Sequence, residues 1–343
     1  MTKVVNVAVL GATTLIGEAI LTHLAERNFP LGELYLLSAS LSVGDEVRFQ
    51  FKDKTVLDAA SFDFQQVQLV FFAGCAEAAE LFASIAVAAG CVVIDTSPQF
   101  RQDPDVPLIV AGVNSQRIAD CAARKIIACP NAATTHLLLS LKPIVDAVGL
   151  DSVTIATYQS VSGSGKAGVD ELADQARAIF NLTETENIVY PKRISFNILP
   201  QVGDLIDNGY SVEEMKMVDE TRKVLAMPNL AVNPTAVRVP VFYGHGQVVQ
   251  VLTQRKISAN EALILWQNTA EVSVVNASED HEYPTPIDTA GNDAVLIGRI
   301  RELMGNGLGL NYWIVADNIH AGTALNSVRI AEKWVEEFNL AGS

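Results

Sequence analysis

Short apolar runs rich in Val, Ile and Leu alternate with longer amphipathic stretches through the first 150 residues. Residues 4–10, 34–37, 67–72, 91–94, 108–110 and 126–128 carry few polar positions, the pattern of strands covered on both faces. Residues 18–27 and 77–89, and the stretch running to 148, have the spacing of amphipathic helices. Strands alternating with helices predict a doubly wound parallel α/β sheet. Beyond residue 150 the pattern changes. Residues 152–158 alternate with a period of two, and the glycine- and hydroxyl-rich residues 159–168 lead into a helix over 169–180. Residues 235–242 and 247–254 read as two strands joined by a turn at 243–246. Residues 295–301 and 311–315 are further strands, and 326–340 is a closing amphipathic helix. Longer, antiparallel strands in this half predict an α+β domain. The expected division is a dinucleotide-binding-type domain over 1–131, completed by 318–343, and a second domain over 132–317.

Two stretches carry candidate chemistry. Gly11-Ala12-Thr13-Thr14-Leu15-Ile16-Gly17 stands between the first strand and the first helix. Glycines in that position let backbone amides approach a pyrophosphate at a helix N-terminus. A three-glycine version would carry its middle glycine where this chain has Thr14, whose β-branched side chain crowds the approach. Gly11 and Gly17 keep the turn. The loop after the second strand holds Leu41 and Asp45. An Arg or Lys there would pair with a 2′-phosphate, which Asp45 repels, so NADP is disfavoured.

The second stretch is Cys129-Pro130-Asn131-Ala132-Ala133-Thr134-Thr135. Pro130 cannot extend a helix backwards, and Asn131 suits an N-cap. Ala132 therefore falls in the first turn of a helix, where free N–H groups and the dipole favour an anion or a thiolate. The side chain there is a methyl group, which cannot act as a nucleophile. Cys129 lies before the helix start and lacks that activation.

Composition narrows the class. The 343 residues exceed the usual single-core size, so two domains are expected. The chain is 49% hydrophobic and 18% charged, which reads as soluble and globular. A formal net charge of −15 argues against nucleic acid and anionic membranes as partners. Cys75, Cys91, Cys121 and Cys129 show no paired spacing, so they read as reduced thiols rather than a disulfide framework or a metal site. Without a leader-like N-terminus or a long apolar run, a cytoplasmic location is expected.

Over nearly its whole length the chain resembles the aspartate-semialdehyde dehydrogenase family. The matching stretches are GATTLIG from Gly11, DTSPQFR ending at Arg101, CPNAATT around Ala132, TYQSVSGSGKAG from Thr157, EEMK from Glu213, RVPVFYGH from Arg238 to His245, and ADN from Ala316. The resemblance implies a reaction in which an active-site cysteine attacks the carbonyl of aspartyl phosphate. A thioacyl enzyme forms, and NADPH delivers hydride to give the semialdehyde. It places the nucleophile at Ala132, an orienting glutamine at Gln159 and the acid–base histidine at His245. Substrate contacts are implied at Arg101, Glu213, Lys216 and Arg238. Cofactor contacts are implied at Gly11, Thr13, Thr14, Leu15, Ile16, Gly17, Ser38, Ser162, Gly163 and Asn318. No metal is implied. The residue types agree: Arg suits bidentate carboxylate or phosphate recognition, and Glu213 and Lys216 share one helix face.

The chain also departs from the family. Ala132 replaces the nucleophile, and Thr14, Leu41 and Asp45 erode the cofactor side. His320-Ala321-Gly322 stands where the family has Arg-Lys before Gly, while His136 and Gly112 replace a glutamine and a glutamate. Several scattered changes resemble a cysteine-less branch that has lost the reaction. The first expectation is a catalytically deficient homologue that binds NADP or NAD weakly or not at all. It would retain a pocket for a small anionic metabolite, a dianion held between Arg101, Lys216 and Arg238, and would pair as a homodimer through its second domain. The alternative is an active NAD(P)-dependent semialdehyde dehydrogenase of amino-acid biosynthesis. No protein partner is identified by the sequence.

Overall fold

The computed structural model describes residues 4–39, 42–275, 281–305 and 307–340. The chain forms two compact units, Met1–Asn131 with Thr323–Ser343, and Ala132–Gly322.

In the first unit the apolar runs become the strands β1 (Val5–Leu10), β2 (Leu31–Ser38), β5 (Leu69–Phe72), β6 (Val92–Asp95) and β7 (Ile126–Ala128). They are joined by α1 (Leu15–Glu26), α2 (Ala76–Ala88) and the single turn α3 (Ala111–Asn114). A hairpin of β3 (Glu46–Phe49) and β4 (Lys52–Asp58) extends one edge, giving the order β3-β4-β2-β1-β5-β6-β7. All pairs are parallel except β3 with β4. The full burial of Val7, Val9, Leu69, Phe71, Val93 and Ile94 is what a sheet covered on both faces requires. Residues 108–110 do not form a strand. Only Leu108 bridges to Ala128, because Pro107 lacks an N–H and α3 begins directly after Val110.

The second unit begins with α4 (Ala132–Val148) and β8 (Ser152–Gln159). It continues through α5 (Gly165–Phe180), α6 (Val212–Leu225), β9 (Ala231–Arg238), β10 (His245–Leu252), α7 (Ala259–Gln267), β11 (Val272–Val274), β12 (Val295–Glu302) and β13 (Gly309–Ala316). Its sheet runs β11-β12-β13-β10-β8-β9. The hairpin expected from 235–254 is absent: β9 and β10 lie on opposite sides of β8, parallel and antiparallel to it. β9 ends at Arg238, ahead of Pro240, and its own Pro234 is tolerated because β9 is an edge strand. Packed against the sheet, α4 contacts β12, β13, α6 and α7, and α6 contacts β9. Trp266 of α7 anchors this layer. Its Nε1 donates to Ser140 O at 2.8 Å, and its ring lies 4.8 Å from that of Tyr312. On the opposite face Tyr158 and Val248 are exposed, and Trp313 lies 5.8 Å from Tyr158.

The first and last residues of this unit meet. A Cβ built on Gly322 would lie 2.7 Å from the Cβ of Ala132. The closing helix α8 (Leu325–Leu340) packs in the first unit, where Arg27 and Glu332 pair at 2.8 Å.

Candidate functional site

In the second unit the sheet register collects the site at one end. Gln159 and Arg238 are the last residues of neighbouring parallel strands and are paired in register. His245 opens the antiparallel strand on the other side of β8, where Gly246 faces Tyr158. His245 is thus a strand residue and not part of a turn. It is only 4% exposed.

Its orientation is fixed from behind. Ser160 N donates to His245 Nδ1 at 3.1 Å, and Ser160 Oγ lies at the same distance. Asn318 Oδ1 accepts from Ser160 Oγ at 3.0 Å, Ser162 Oγ at 3.1 Å and Gly244 N at 3.1 Å. Asp317 shapes the turn that carries Asn318, its Oδ1 accepting from Ile319 N and His320 N at 2.8 Å. With Nδ1 an acceptor, the neutral ring carries its proton on Nε2. Burial pushes the His245 pKa well below 6.5, and Arg238 and His136 reinforce the shift. At neutral pH the ring is therefore an uncharged donor.

Arg238 is 6% exposed and donates from Nη1 to Ser160 O at 2.6 Å. Burial lowers its pKa, with Tyr190 and Glu213 acting against that, and an arginine remains charged throughout this range. Gly163 marks the space the two groups share. A Cβ there would stand 2.7 Å from Arg238 Nη1 and 3.5 Å from His245 Nε2, so any larger residue would fill it. On α6, Glu213 accepts from Gln159 Nε2 at 3.1 Å with one oxygen and pairs with Lys216 Nζ at 3.4 Å with the other. Lys216 balances the carboxylate, and both belong to a helix opened by the Ser211–Glu214 capping box.

The start of α4 is laid against the same sheet. Gln247, two residues after His245 on the same strand face, donates from Nε2 to Ala133 O at 2.8 Å. Ala132 is half-buried in the first turn of that helix. One turn further, His136 is fully buried, with the backbone of Asp317 beside its ring. Its Nε2 would lie 2.6 Å from a Cβ on Gly322. Burial holds its pKa near 4, with Asp317 acting against the shift.

The first unit carries the remaining residues. Thr14 is the N-cap of α1. Its Oγ1 accepts from Gly17 N at 3.0 Å and donates to Gly11 O at 2.9 Å. A Cβ on Gly17 would come within 2.1 Å of Gly11 O, so the turn closes only on glycine. Thr14 therefore does not obstruct the turn; it stands exposed at the helix start with Leu15 and Ile16 following. Thr13 Oγ1 meets Ser42 Oγ at 3.0 Å, which ties the turn to the loop after β2. Ser38 is buried at the end of that strand, Asp45 is exposed, and Leu41 lies outside the described residues. This turn fits the pyrophosphate of a dinucleotide. A nicotinamide dinucleotide held there would supply or accept hydride.

Arg101, 7% exposed in the same unit, donates from Nη2 to Thr96 O at 2.7 Å. Near it Asp95 is buried and bonded twice by Ser97, and burial pushes its pKa up to about 6. Cys129 is fully buried, and burial, then Asp95, drive its thiol pKa upward, the reverse of an activated nucleophile.

The structure brings Gln159, Ser162, Gly163, Glu213, Lys216, Arg238, His245 and Asn318 to one end of the sheet, in two bonded groups: Gln159–Glu213–Lys216, and Arg238, His245, Ser162 and Asn318 gathered around Ser160 beside Gly163. Ser162 and Asn318 serve the second group by bracing Ser160 and Gly244. The motifs do not single out Ser160, whose only signal is its place directly after Gln159, and they present His136 only as a substitution.

Residues 6–121 match the family described as semialdehyde dehydrogenase, NAD binding domain, and residues 141–321 the one described as semialdehyde dehydrogenase, dimerisation domain. The chain is 46% identical to an aspartate-semialdehyde dehydrogenase of Legionella pneumophila, over 99% of this chain and 98% of that one. It is 44% identical to one from Shewanella violacea, over 98% and 100%. The crystal structure of aspartate semialdehyde dehydrogenase II from Vibrio cholerae, complexed with ASA, superposes with a TM-score of 0.95 at 44% identity, covering 98% of this chain and 99% of that one. The glycine turn, the Gln159–Glu213 hydrogen bond, the anchoring of both Arg238 and His245 on Ser160 and these full-length similarities agree: the chain belongs to the aspartate-semialdehyde dehydrogenase family.

Proposed function

We propose that this chain is a catalytically deficient member of the family, a homologue that keeps a pocket for a small anionic amino acid. The observation that carries this reading is the methyl side chain of Ala132 in the first turn of α4, where the resemblance puts the nucleophile. A covalent acyl route needs an activated thiolate. Cys129, the nearest thiol in sequence, is buried with its pKa raised. The binding side is kept. Arg238 and Lys216 supply positive charge, Glu213 and Gln159 hold each other, and His245 offers an Nε2 proton. Anion binding there offsets the cost of burying Arg238.

Cofactor binding is weak in this reading, with no preference for NADP over NAD. The turn from Gly11 to Gly17 supports the pyrophosphate, and Asp45 opposes a 2′-phosphate. The protein is a homodimer formed through the sheet face bearing Tyr158, Val248 and Trp313, the commonest symmetry for such a surface. It works in the cytoplasm, and among the described residues no helix is long and apolar enough to cross a membrane. Its net charge of −15 disfavours nucleic acid as a partner.

A second reading, an active NAD(P)-dependent semialdehyde dehydrogenase of amino-acid biosynthesis, is favoured by the intact glycine turn and by the names of relatives at 44–46% identity. Two measurements on the purified chain separate them. They are semialdehyde oxidation with phosphate and either cofactor, and calorimetric binding of aspartate. Binding without turnover supports the first reading; cofactor-linked turnover above a denatured control supports the second.

A further inference from the structure

Arg238, which anchors the anion pocket proposed above, also lines a cavity with more space than a four-carbon amino acid needs. Arg238 lines a cavity of about 890 Å³ with Tyr190, Lys192, Ile198, Leu199 and Val202. That is near the upper end of the roughly 300–1,000 Å³ of pockets that take drug-sized ligands.

The cavity wall is built and held in place. Residues 187–195 have no regular structure of their own, yet two buried side chains of α5 secure them. Glu171 Oε2 accepts from Ile188 N at 3.0 Å and from Val189 N. Gln175 Oε1 accepts from Ile194 N at 2.9 Å and Ser195 N at 3.1 Å, while its Nε2 donates to Glu171 Oε1 at 2.9 Å. Tyr190, Ile194 and Leu199 then pack with Val161 and Leu172 in one apolar cluster. Tyr190 Oη reaches Ser164 Oγ at 3.1 Å. A wall fixed by buried hydrogen bonds need not be ordered again on binding, which favours a ligand that fits it.

The lining is mixed: Arg238 and Lys192 carry positive charge, Asp204 a carboxylate, and Ile198, Leu199 and Val202 apolar side chains. Arg238 is almost wholly buried, so only the end of a ligand reaches its guanidinium, and charge selects a carboxylate. Leu199 and Val202 are buried and apolar, and Ile198, which lines the same cavity, is 58% exposed and uncovered for contact. We infer that the Arg238 pocket takes an acidic amino acid extended at its nitrogen by an apolar residue, a dipeptide-sized ligand with its terminal carboxylate on Arg238. This rests on the anion-pocket reading and deepens it.

The test is calorimetric titration of the full chain with L-aspartate and with L-leucyl-L-aspartate, repeated on Ile198→Asp and Arg238→Ala. The expected result is leucyl-aspartate binding at least about tenfold tighter than aspartate, from the apolar area added. Ile198→Asp should remove most of that gain and weaken aspartate binding far less. Arg238→Ala should abolish both. Ile198 is exposed, so its variant should fold, and a melting curve checks this. Equal affinities for the two ligands would overturn the inference while leaving the anion pocket intact. Leucyl-aspartate binding that survives Arg238→Ala would overturn it too. If Ile198→Asp instead splits a dimer in sedimentation and changes neither affinity, a second copy covers the cavity and the inference fails. If neither ligand binds the native chain, the anion-pocket reading itself falls.

Discussion

The backbone N–H of Ser160 donates to Nδ1 of His245 at 3.1 Å, so the proton of the neutral imidazole sits on Nε2, the nitrogen that shares the space over Gly163 with Arg238. The ring is placed to donate a hydrogen bond to an anion and is poorly suited to carry a full positive charge beside Arg238.

That arrangement predicts a protonation state. A base whose pKa is depressed in the folded state stays neutral until the pH falls well below its usual 6.5. Nitrogen-15 correlation spectra should show His245 as the Nε2–H tautomer, unchanged from pH 8 to pH 6. A titration midpoint near 6.5 would mean that the ring is solvated and that the Ser160 hydrogen bond does not hold it.

Catalysis is expected to be absent. With Ala132 in place, phosphate-dependent oxidation of aspartate semialdehyde should match a denatured control. Ala132→Cys alone should restore little, because the cofactor side is altered as well. Nicotinamide absorbance measures both. Robust turnover by the single variant would show that Asp45 matters less than proposed.

The cofactor prediction stands on the loop after β2. Asp45 is exposed there, and the glycine turn is intact. Calorimetry with NADP and NAD should give weak binding of both, with NADP no tighter. An NADP affinity about tenfold above that for NAD, worth about 1.4 kcal/mol, would require a cation for the 2′-phosphate that this reading does not supply.

His136 gives a stability prediction with a definite sign. Its pKa is near 4 when folded and 6.5 when unfolded, so the unfolded chain takes up the proton first as pH falls. Stability is therefore fully present above about pH 6.5 and is lost progressively toward pH 4, by roughly 3 kcal/mol at most. Asp95, with its pKa raised to about 6, works in the opposite direction. Comparing the native chain with His136→Gln cancels that contribution. In urea denaturation the variant should gain on the native chain as the pH drops from 7 to 4. A difference that stays constant with pH would show that His136 is not buried as a neutral ring.

The first unit was largely legible from sequence because strands covered on both faces must be apolar along their whole length. β1, β5 and β6 stand out against their amphipathic neighbours for that reason. The β3–β4 hairpin was missed because Glu46, Arg48, Lys52 and Asp53 are exposed at the sheet edge and give no apolar run. In the second unit the pattern located β8, the body of β10 and parts of β9, β12 and β13, but not how they pair. β9 and β10 are close in sequence, with a glycine between them, and so imitate a hairpin; the strand that separates them in space is β8, far earlier in the chain. Local pattern cannot report such pairing.

The site divides in the same way. Arg238, Glu213, Lys216 and His245 were recognisable from motifs. The role of Ser160 was not, because it acts through a backbone N–H that every residue but proline possesses. His136 looked like a bare substitution; its meaning depends on complete burial, which spacing alone could not disclose.

Ala132 and Gly322, the two ends of the second unit, touch. A segment whose first and last residues touch can be lifted out of its host by closing a short gap on either side, so residues 132–322 have the geometry of an insertion. The same closeness would let a short peptide link those ends while new termini were opened at an exposed loop elsewhere in the segment. A circularly permuted second unit is thus within reach of the existing fold, and with it the means to study Arg238 and His245 on a module that begins and ends away from them.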